Sequence, residues 1–351
     1  MNLTDVIDSL VEERGLEREV LTNVVCEGML SAYQKCYPGL SLRVFFSKKD
    51  HELIVEIEKR IVISPSDELS EISLRKARNL VSSVEEGDSL WLPFEKPVGR
   101  REILVAKQII AQKIRQIEAS IVYNEFKSRE GSIMQGVVHK IERGGSIIKI
   151  QDNLAFLPKS LIVPGEKLIV GHPIRALLKE VLVEPRNENQ LILDRASSDF
   201  VKILFELEIP EVFERIVEIR SIVRTAGYKS KVIVSSRDAN IDPVGTCVGV
   251  GGVRIKPILK ELGNEKIDII AWTDDSEVLI ENALKPAEIN RVELSGNEKI
   301  ARVWLDDDQR SLAIGKMGQN ISLASQLVGI DIELVKNDTK DLEQKLLNQE
   351  L

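Results

Sequence analysis

Two glycine-rich stretches in the last 155 residues line up at a constant offset of 66. Asp242-Pro-Val-Gly-Thr-Cys-Val-Gly-Val-Gly-Gly252 matches Asp308-Gln-Arg-Ser-Leu-Ala-Ile-Gly-Lys-Met-Gly318. Beyond them Ile255 pairs with Ile321, Leu262 with Val328 and Gly263 with Gly329. The strands Ile267 to Ile269 and Ile330 to Ile332 follow, after a three-residue difference in the connecting turn. Upstream of each stretch lie two β-type runs, Ile216 to Arg224 with Lys231 to Ser235, and Arg291 to Ser295 with Ile300 to Leu305. A helical segment precedes each pair, at Ser197 to Glu208 and Ser276 to Leu284. Each copy therefore reads helix, strand, strand, helix, G-x-x-G, helix, strand. A repeat of this length with matched element order implies two copies of one small α+β domain.

Each G-x-x-G joins two short helices. Glycine is needed at both ends because the chain turns sharply there and a nucleic-acid backbone must approach without meeting a Cβ. The following helix offers free N–H groups and its positive dipole end to a phosphate. KH domains clamp about four nucleotides in this manner. The candidate RNA-binding residues are Gly249, Val250, Gly251, Gly252 and Arg254 in the first copy. In the second they are Gly315, Lys316, Met317, Gly318, Gln319 and Asn320. A groove lined by Ile255, Ile258 and Ile321 is expected to receive bases. A lone G-x-x-G is ordinarily just a helix–helix turn; two copies in a repeated frame favour RNA contact.

Other chemistries lack their residues. Gly249-Val-Gly251 is followed by Arg254 where a dinucleotide fingerprint needs its third glycine, and Gly315-Lys316 is followed by Met317, with Arg310 where a Walker loop needs glycine. His51, His139 and His172 stand in no metal-binding or H-D pairing, and no G-x-S-x-G occurs. The acidic runs Asp274-Asp275 and Asp306-Asp307-Asp308 read as helix N-terminal caps and solvated faces rather than Mg²⁺ ligands. No enzyme activity, cofactor or metal is expected. Cys26, Cys36 and Cys247 are odd in number and lack ligand spacing, so they read as reduced thiols.

The rest of the chain divides by pattern. Leu3 to Glu13 and Leu16 to Tyr37 are helical, with Val20, Val24 and Tyr33 facing inward. Leu42 to Phe46 and Leu53 to Val62 form a hairpin turned at Lys48 to His51. A polar stretch, a strand at Ser89 to Pro93 and a long helix follow; the stripe of that helix is Ile103, Ala106, Ile110, Ile114, Ile117 and Ile121. Residues 1–128 thus form an α+β domain. Residues 129–195 hold five short strands, Ser132 to Ile141, Ser146 to Ile150, Leu154 to Leu157, Pro173 to Val183 and Gln190 to Asp194, separated by turn signals including Asn187-Glu-Asn. This suits a small closed β-barrel of the OB-fold type, with a barrel that binds nothing as the plain alternative. His139 and Phe156 are candidates to stack bases, with Lys140, Lys149 and Arg195 near phosphates. Phe156 reads equally as core, and the lysines as ordinary surface. The repeated domains occupy 196–283 and 284–346, with a tail at 347–351.

Net charge is −8, and by segment it is −3 for 1–128, +2 for 129–195, −4 for 196–283 and −3 for 284–351. A strong non-specific grip on duplex is therefore not expected. Single-stranded RNA, which needs placed groups rather than global charge, remains open. Met1 to Leu21 is acidic and amphipathic, unlike a signal peptide, and no apolar run reaches the ~18 residues of a membrane span. A cytoplasmic protein is expected.

The chain resembles the bacterial NusA family of transcription elongation, pausing and termination factors. The residues that carry this are 242–252 with Glu265-Lys-Ile-Asp-Ile-Ile-Ala-Trp272, and Ser311-Leu-Ala-Ile-Gly-Lys-Met-Gly-Gln-Asn320. Leu204-Phe-Glu-Leu-Glu-Ile-Pro-Glu211, Ala283-Leu-Lys-Pro-Ala287, Glu13-Arg-Gly-Leu and Ala106-Lys-Gln-Ile-Ile110 add to it, so that the likeness covers roughly residues 1–335. The resemblance implies a multidomain α+β protein: an N-terminal domain docking on the β-subunit flap of RNA polymerase, an OB-fold of the ribosomal S-one type, and two tandem type II KH domains gripping nascent RNA. It also implies other Nus factors as partners and a monomeric state. Val250-Gly251 stands where the family usually has a basic residue, Ser322 where arginine is common, and Asp194-Arg195 in place of Ser-Arg. No counterpart to the acidic C-terminal repeats of some members is expected. Two rival classes are an RNA-degrading phosphorolytic enzyme, for which residues 1–128 are too few and wrongly patterned, and a ribosome-linked KH protein.

Because few cations lie near the two loops, RNA affinity should depend weakly on salt, with a slope equivalent to about two to four phosphate contacts. A salt titration with a slope worth about eight or more contacts would instead reveal a basic surface that the sequence hides.

Overall fold

The computed structural model describes residues 11–12, 16–47, 52–81, 83–96, 99–186, 189–295 and 299–336. The helix expected over Leu3 to Glu13 (apart from residues 11–12, which are helical), the turn at Lys48 to His51, most of the Asn187-Glu-Asn turn and the tail lie outside the described residues. The chain divides into two units, Met1–Ile121 and Val122–Leu351.

In the first unit α1 (Arg18–Cys36) ends at Tyr37, where Pro38 cannot continue a helix. Strands β1 (Leu42–Ser47) and β2 (Glu52–Val62) pair antiparallel, with Phe45 opposite Ile54. Strand β3 (Glu71–Ser73) pairs parallel with β2 and leads into α2 (Leu74–Leu80), and β4 (Ser89–Pro93) pairs antiparallel with β2. The stretch holding β3 and α2 looked merely polar in sequence, because both elements are too short to show a period. Asp67 organises their entry by accepting from the Leu69 and Ser70 N–H groups, and Ile61, Ile72 and Ala77 pack beneath. The long helix α3 (Arg100–Lys127) lays Ile114 against Leu21, Val24 and Val25 of α1. Its stripe faces inward only in the middle: Ala106 and Ile114 are buried, whereas Ile103 and Ile121 are half exposed. Tyr33 and Tyr37 meet the Phe94 ring edge-on.

The second unit begins inside α3, ahead of the break expected at Ser128. Phe126 is fully buried and plugs the barrel that follows. The barrel is closed, with β5 (Ile133–Glu142), β6 (Gly145–Ile150), β7 (Asn153–Pro158), β8 (Pro173–Arg186) and β9 (Asn189–Asp194) in the order β5-β6-β7-β9-β8. Met134, Val138, Ile148, Leu157, Leu178 and Leu193 fill it.

Each repeat forms a three-stranded sheet with the second strand central, antiparallel to the first and parallel to the third. The first comprises α4 (Ser198–Glu208), α5 (Pro210–Phe213), β10 (Val217–Thr225), β11 (Lys229–Ser236), α6 (Pro243–Val248), α7 (Ile255–Leu262) and β12 (Lys266–Ala271). The second comprises α8 (Ser276–Leu284), β13 (Arg291–Leu294), β14 (Ile300–Leu305), α9 (Asp307–Ile314), α10 (Gln319–Val328) and β15 (Asp331–Lys336). The period-two rule sends Val232 and Val234 of β11 toward the module's own helices, in a core with Phe200, Leu204 and Ile258. It sends Ile233 the other way, where with Ile270 it joins Ile280, Leu284 and Ala324 of the second module. The first sheet is thus covered on both faces.

A charge network joins barrel to first module. Arg195 donates to Glu166 and Glu261 and to the Arg175 carbonyl, and Arg175 donates to Glu261 and Glu208. Beside it Arg224 and Glu265 form a two-pronged pair at 2.9 Å on both arms, with 1% and 0% of their side chains exposed. Arg224 also donates to the Arg195 and Ser197 carbonyls, and both guanidiniums lie over the Phe200 ring. Burial opposes ionisation of Glu261, but Arg195 and Arg175 outweigh it and hold its carboxyl below the usual range. A depressed carboxylate adds stability above its unfolded pKa that is lost as pH falls through the folded one. Melting of the full chain should therefore drop on acidification below about pH 4, and less so in Glu261→Gln. Glu265→Ala, which strands Arg224 in the interior, should cost about 3–5 kcal/mol in denaturant unfolding.

Candidate nucleic-acid interface

The two G-x-x-G loops adopt one conformation. Gly249 and Gly315 have φ/ψ of 71°/165° and 73°/178°, a region open essentially to glycine alone. Gly251 and Met317 follow at 60°/19° and 54°/29°, and Gly252 and Gly318 have φ of 76° and 73°. The outer glycines answer to different constraints. A Cβ on Gly249 would come within 2.9 Å of the Arg254 Cγ, and one on Gly315 within 2.6 Å of the Asn320 Cβ. At Gly318 nothing lies within 4 Å, and at Gly252 nothing nearer than 3.7 Å, so that side of each loop is open to an approaching backbone. Met317 holds a left-handed conformation that costs a side chain roughly 1–2 kcal/mol, where the first loop has glycine.

The preceding helices are started by aspartates. Asp242 accepts from Val244 and Gly245 N–H at 3.0 Å each. Asp275 likewise caps α8 through Glu277 and Val278, as expected of its acidic run. Asp306 stands at the N-cap of α9 without a side-chain cap bond, and Asp307 and Asp308 lie in its first turn. Among the described residues no group of three His, Cys, Asp or Glu could hold a metal.

Among the described residues the loop tips are the most exposed large apolar groups: Val250 is 96% and Met317 88% exposed. Lys316 is exposed beside Met317 within the second loop, whereas the first loop has no charged residue of its own and the exposed Lys256 runs past Gly252 from the following helix. Arg254 does not supply that loop with a charge: its guanidinium pairs with Glu211 at 2.8 Å and donates to the Thr246 carbonyl. Asn320 is buried, its Nδ2 donating to the Leu284, Leu312 and Ala313 carbonyls, so it too faces inward. Gln319 is half-buried at the start of α10. The groove expectation needs correction as well. Ile255 and Ile258 belong to the core, and only Ile321 is half-buried.

In the barrel His139 is exposed and Phe156 half-buried, its ring against Gly144 and Gly145. Lys140 pairs with Glu142, and Lys149 lies 4.0 Å from Asp152. Arg195 is 2% exposed and held in the network described above, so it cannot reach a phosphate. Asp194, beside it, is buried and accepts from Ala196 and Ser197 N–H, while Ser322 is exposed and accepts from Gln326. Sequence reasoning missed the fully buried Lys231, whose ammonium donates to Asp268 and to the Ala283 carbonyl; burial draws its pKa down. Nothing in its neighbourhood in sequence signals burial. Desolvation pushes the Cys247 thiol up to about 12, which leaves it a protonated core group. Among the described residues no helix is long and apolar enough to cross a membrane.

Fold and site together define a multidomain α+β protein with tandem RNA-binding KH modules. Residues 2–120 match the NusA N-terminal domain, 195–272 the NusA-like first KH domain and 276–342 the NusA-like second KH domain. The transcription termination/antitermination protein NusA of Thermus thermophilus is 35% identical over 97% of this chain and 92% of its own length. The proteins of that name from Bacillus subtilis (32%, covering 99% and 94%) and Rickettsia conorii (33%, covering 100% and 70%) are similar to it too. The chain belongs to the NusA family.

With an ammonium on one loop only, the loops should be unequal. Lys316→Asp is expected to cost about 1–3 kcal/mol of RNA affinity and Val250→Asp less, with circular dichroism unchanged. Equal losses, or a larger one at Val250, would show that loop charge does not rank the modules.

Proposed function

We propose that this chain is a non-catalytic transcription factor that binds RNA polymerase and single-stranded nascent RNA, and so tunes pausing, termination and antitermination. The observation that carries the reading is the pair of G-x-x-G loops in matched, open conformations on one duplicated frame. Relatives covering nearly their full length are named for termination and antitermination. RNA phosphates meet the loop N–H groups at Gly249, Val250, Gly251 and Gly252, and at Gly315, Lys316, Met317, Gly318 and Gln319. His139 and Phe156 offer the barrel's stacking surface. Arg195, Arg254 and Asn320 shape the site from within rather than touch RNA. The N-terminal unit docks on the flap of the polymerase β subunit, the barrel (129–195) and KH modules (196–283 and 284–346) follow the RNA, and the protein works as a cytoplasmic monomer alongside other Nus factors.

Affinity capture with the full chain should retain core RNA polymerase, and an RNA-binding assay should show single-stranded preference. A chain trimmed to residues 122–351, which keeps Phe126 in the barrel, should bind RNA and lose polymerase. Polymerase binding undiminished by that trimming, or capture of ribosomal subunits in its place, would overturn the assignment.

A further inference from the structure

Positions 254 and 320 occupy the same place in the repeat, and so do 246 and 312. Arg254 donates to the Thr246 carbonyl at 2.9 Å, and Asn320 to the Leu312 carbonyl at 3.3 Å. In each module a side chain at the start of the helix after the loop reaches back to the last turn of the helix before it. There it satisfies a carbonyl that the helix end leaves without an intrahelical partner. The G-x-x-G lies between these two ends, so the bond closes the loop as a clasp, and a Cβ on the first glycine would collide with the clasping side chain.

The clasps are anchored differently. Arg254 is held by Glu211, from its own module. Asn320 turns its Oδ1 to the Lys229 ammonium, 3.1 Å away, at the start of β11 in the first module. Its orientation is forced: reversed, the amide would set its NH₂ against an ammonium and its oxygen against three carbonyls. Lys229 is 12% exposed and is fixed by Asp268, at 2.6 Å, on the adjacent strand of the same sheet.

We propose that Lys229 is a positioning residue for the second G-x-x-G loop: through Asn320 the first module holds the second module's loop in its phosphate-binding form, whereas the first loop is braced within its own module. This rests on the RNA-binding reading above. RNA affinity at residues 315–318 then depends on a residue that touches no RNA.

The test uses the full chain with a single-stranded RNA oligonucleotide of random sequence. Lys229→Met and Lys316→Ala should each weaken binding about tenfold, and the double variant should be little weaker than the worse single one. Lys229→Met combined with Val250→Asp should instead show the product of the two losses. Amide hydrogen exchange should quicken over 315–320 in Lys229→Met but not over 249–254, and Arg254→Gln should show the reverse. Lys229→Gln, which keeps a donor without the charge, should fall between wild type and Lys229→Met, and covers the case in which the latter unfolds. Multiplicative losses for Lys229→Met with Lys316→Ala, or equal slackening of both loops, overturn the clasp. Failure of the wild-type chain to bind RNA would sink the RNA-binding reading instead, and the exchange data would still judge the clasp.

Discussion

The second unit depends on a pair of guanidiniums taken out of water. Arg195 and Arg224 sit side by side over the Phe200 ring, each facing carboxylates with the geometry that lets two N–H groups meet two oxygens. Desolvating such charges is expensive and is offset only when every donor finds an acceptor. Here the acceptors come from separate parts: Glu166 from the barrel, Glu261 and Glu265 from the first KH module, and carbonyls of the segment between them. The arrangement is satisfied in one relative placement of barrel and module and in no slipped one. Its contribution is specificity of assembly as much as stability.

From that placement the rest of the unit follows by shared surfaces. Leu177 of the barrel enters the core of the first module. The first sheet, covered by its own helices on one side, gives Ile233 and Ile270 to the second module on the other. Lys231, buried among these groups, places an ammonium on the carbonyl of Ala283 in the last turn of α8, where the helix dipole favours a cation. Two modules that look alike in sequence are thus unlike in environment, the first packed between the barrel and the second.

Much of this architecture was legible in the sequence. The strands of the barrel and of both modules fall within a few residues of their expected places, because alternation and turn residues mark them directly. The loops were legible for the same reason, since glycine at a fixed offset reports a backbone need. Three kinds of information were not legible. Elements as short as β3 and α2 carry no period. Inter-module burial is invisible locally, so Lys231 did not look inward; and a helical stripe does not report how far a partner reaches along it, so Ile103 and Ile121 did. Charge pairing is decided by distant partners, and Arg195 and Arg254 therefore read as phosphate ligands when carboxylates far along the chain already hold them. The loop backbones were legible as turns, whereas the inward placement of Arg195, Arg254 and Asn320 was not.

The doubly covered sheet has a consequence for how the proposed RNA grip adds up. Two binding modules on a flexible linker gain from each other only through an effective concentration diluted by every conformation the linker explores. Here no such linker separates the loops, since the sheet that carries the first is the floor on which the second is packed. If both loops hold one strand as proposed, their fixed separation would set the contour length of RNA able to span them, as a calliper sets a gauge.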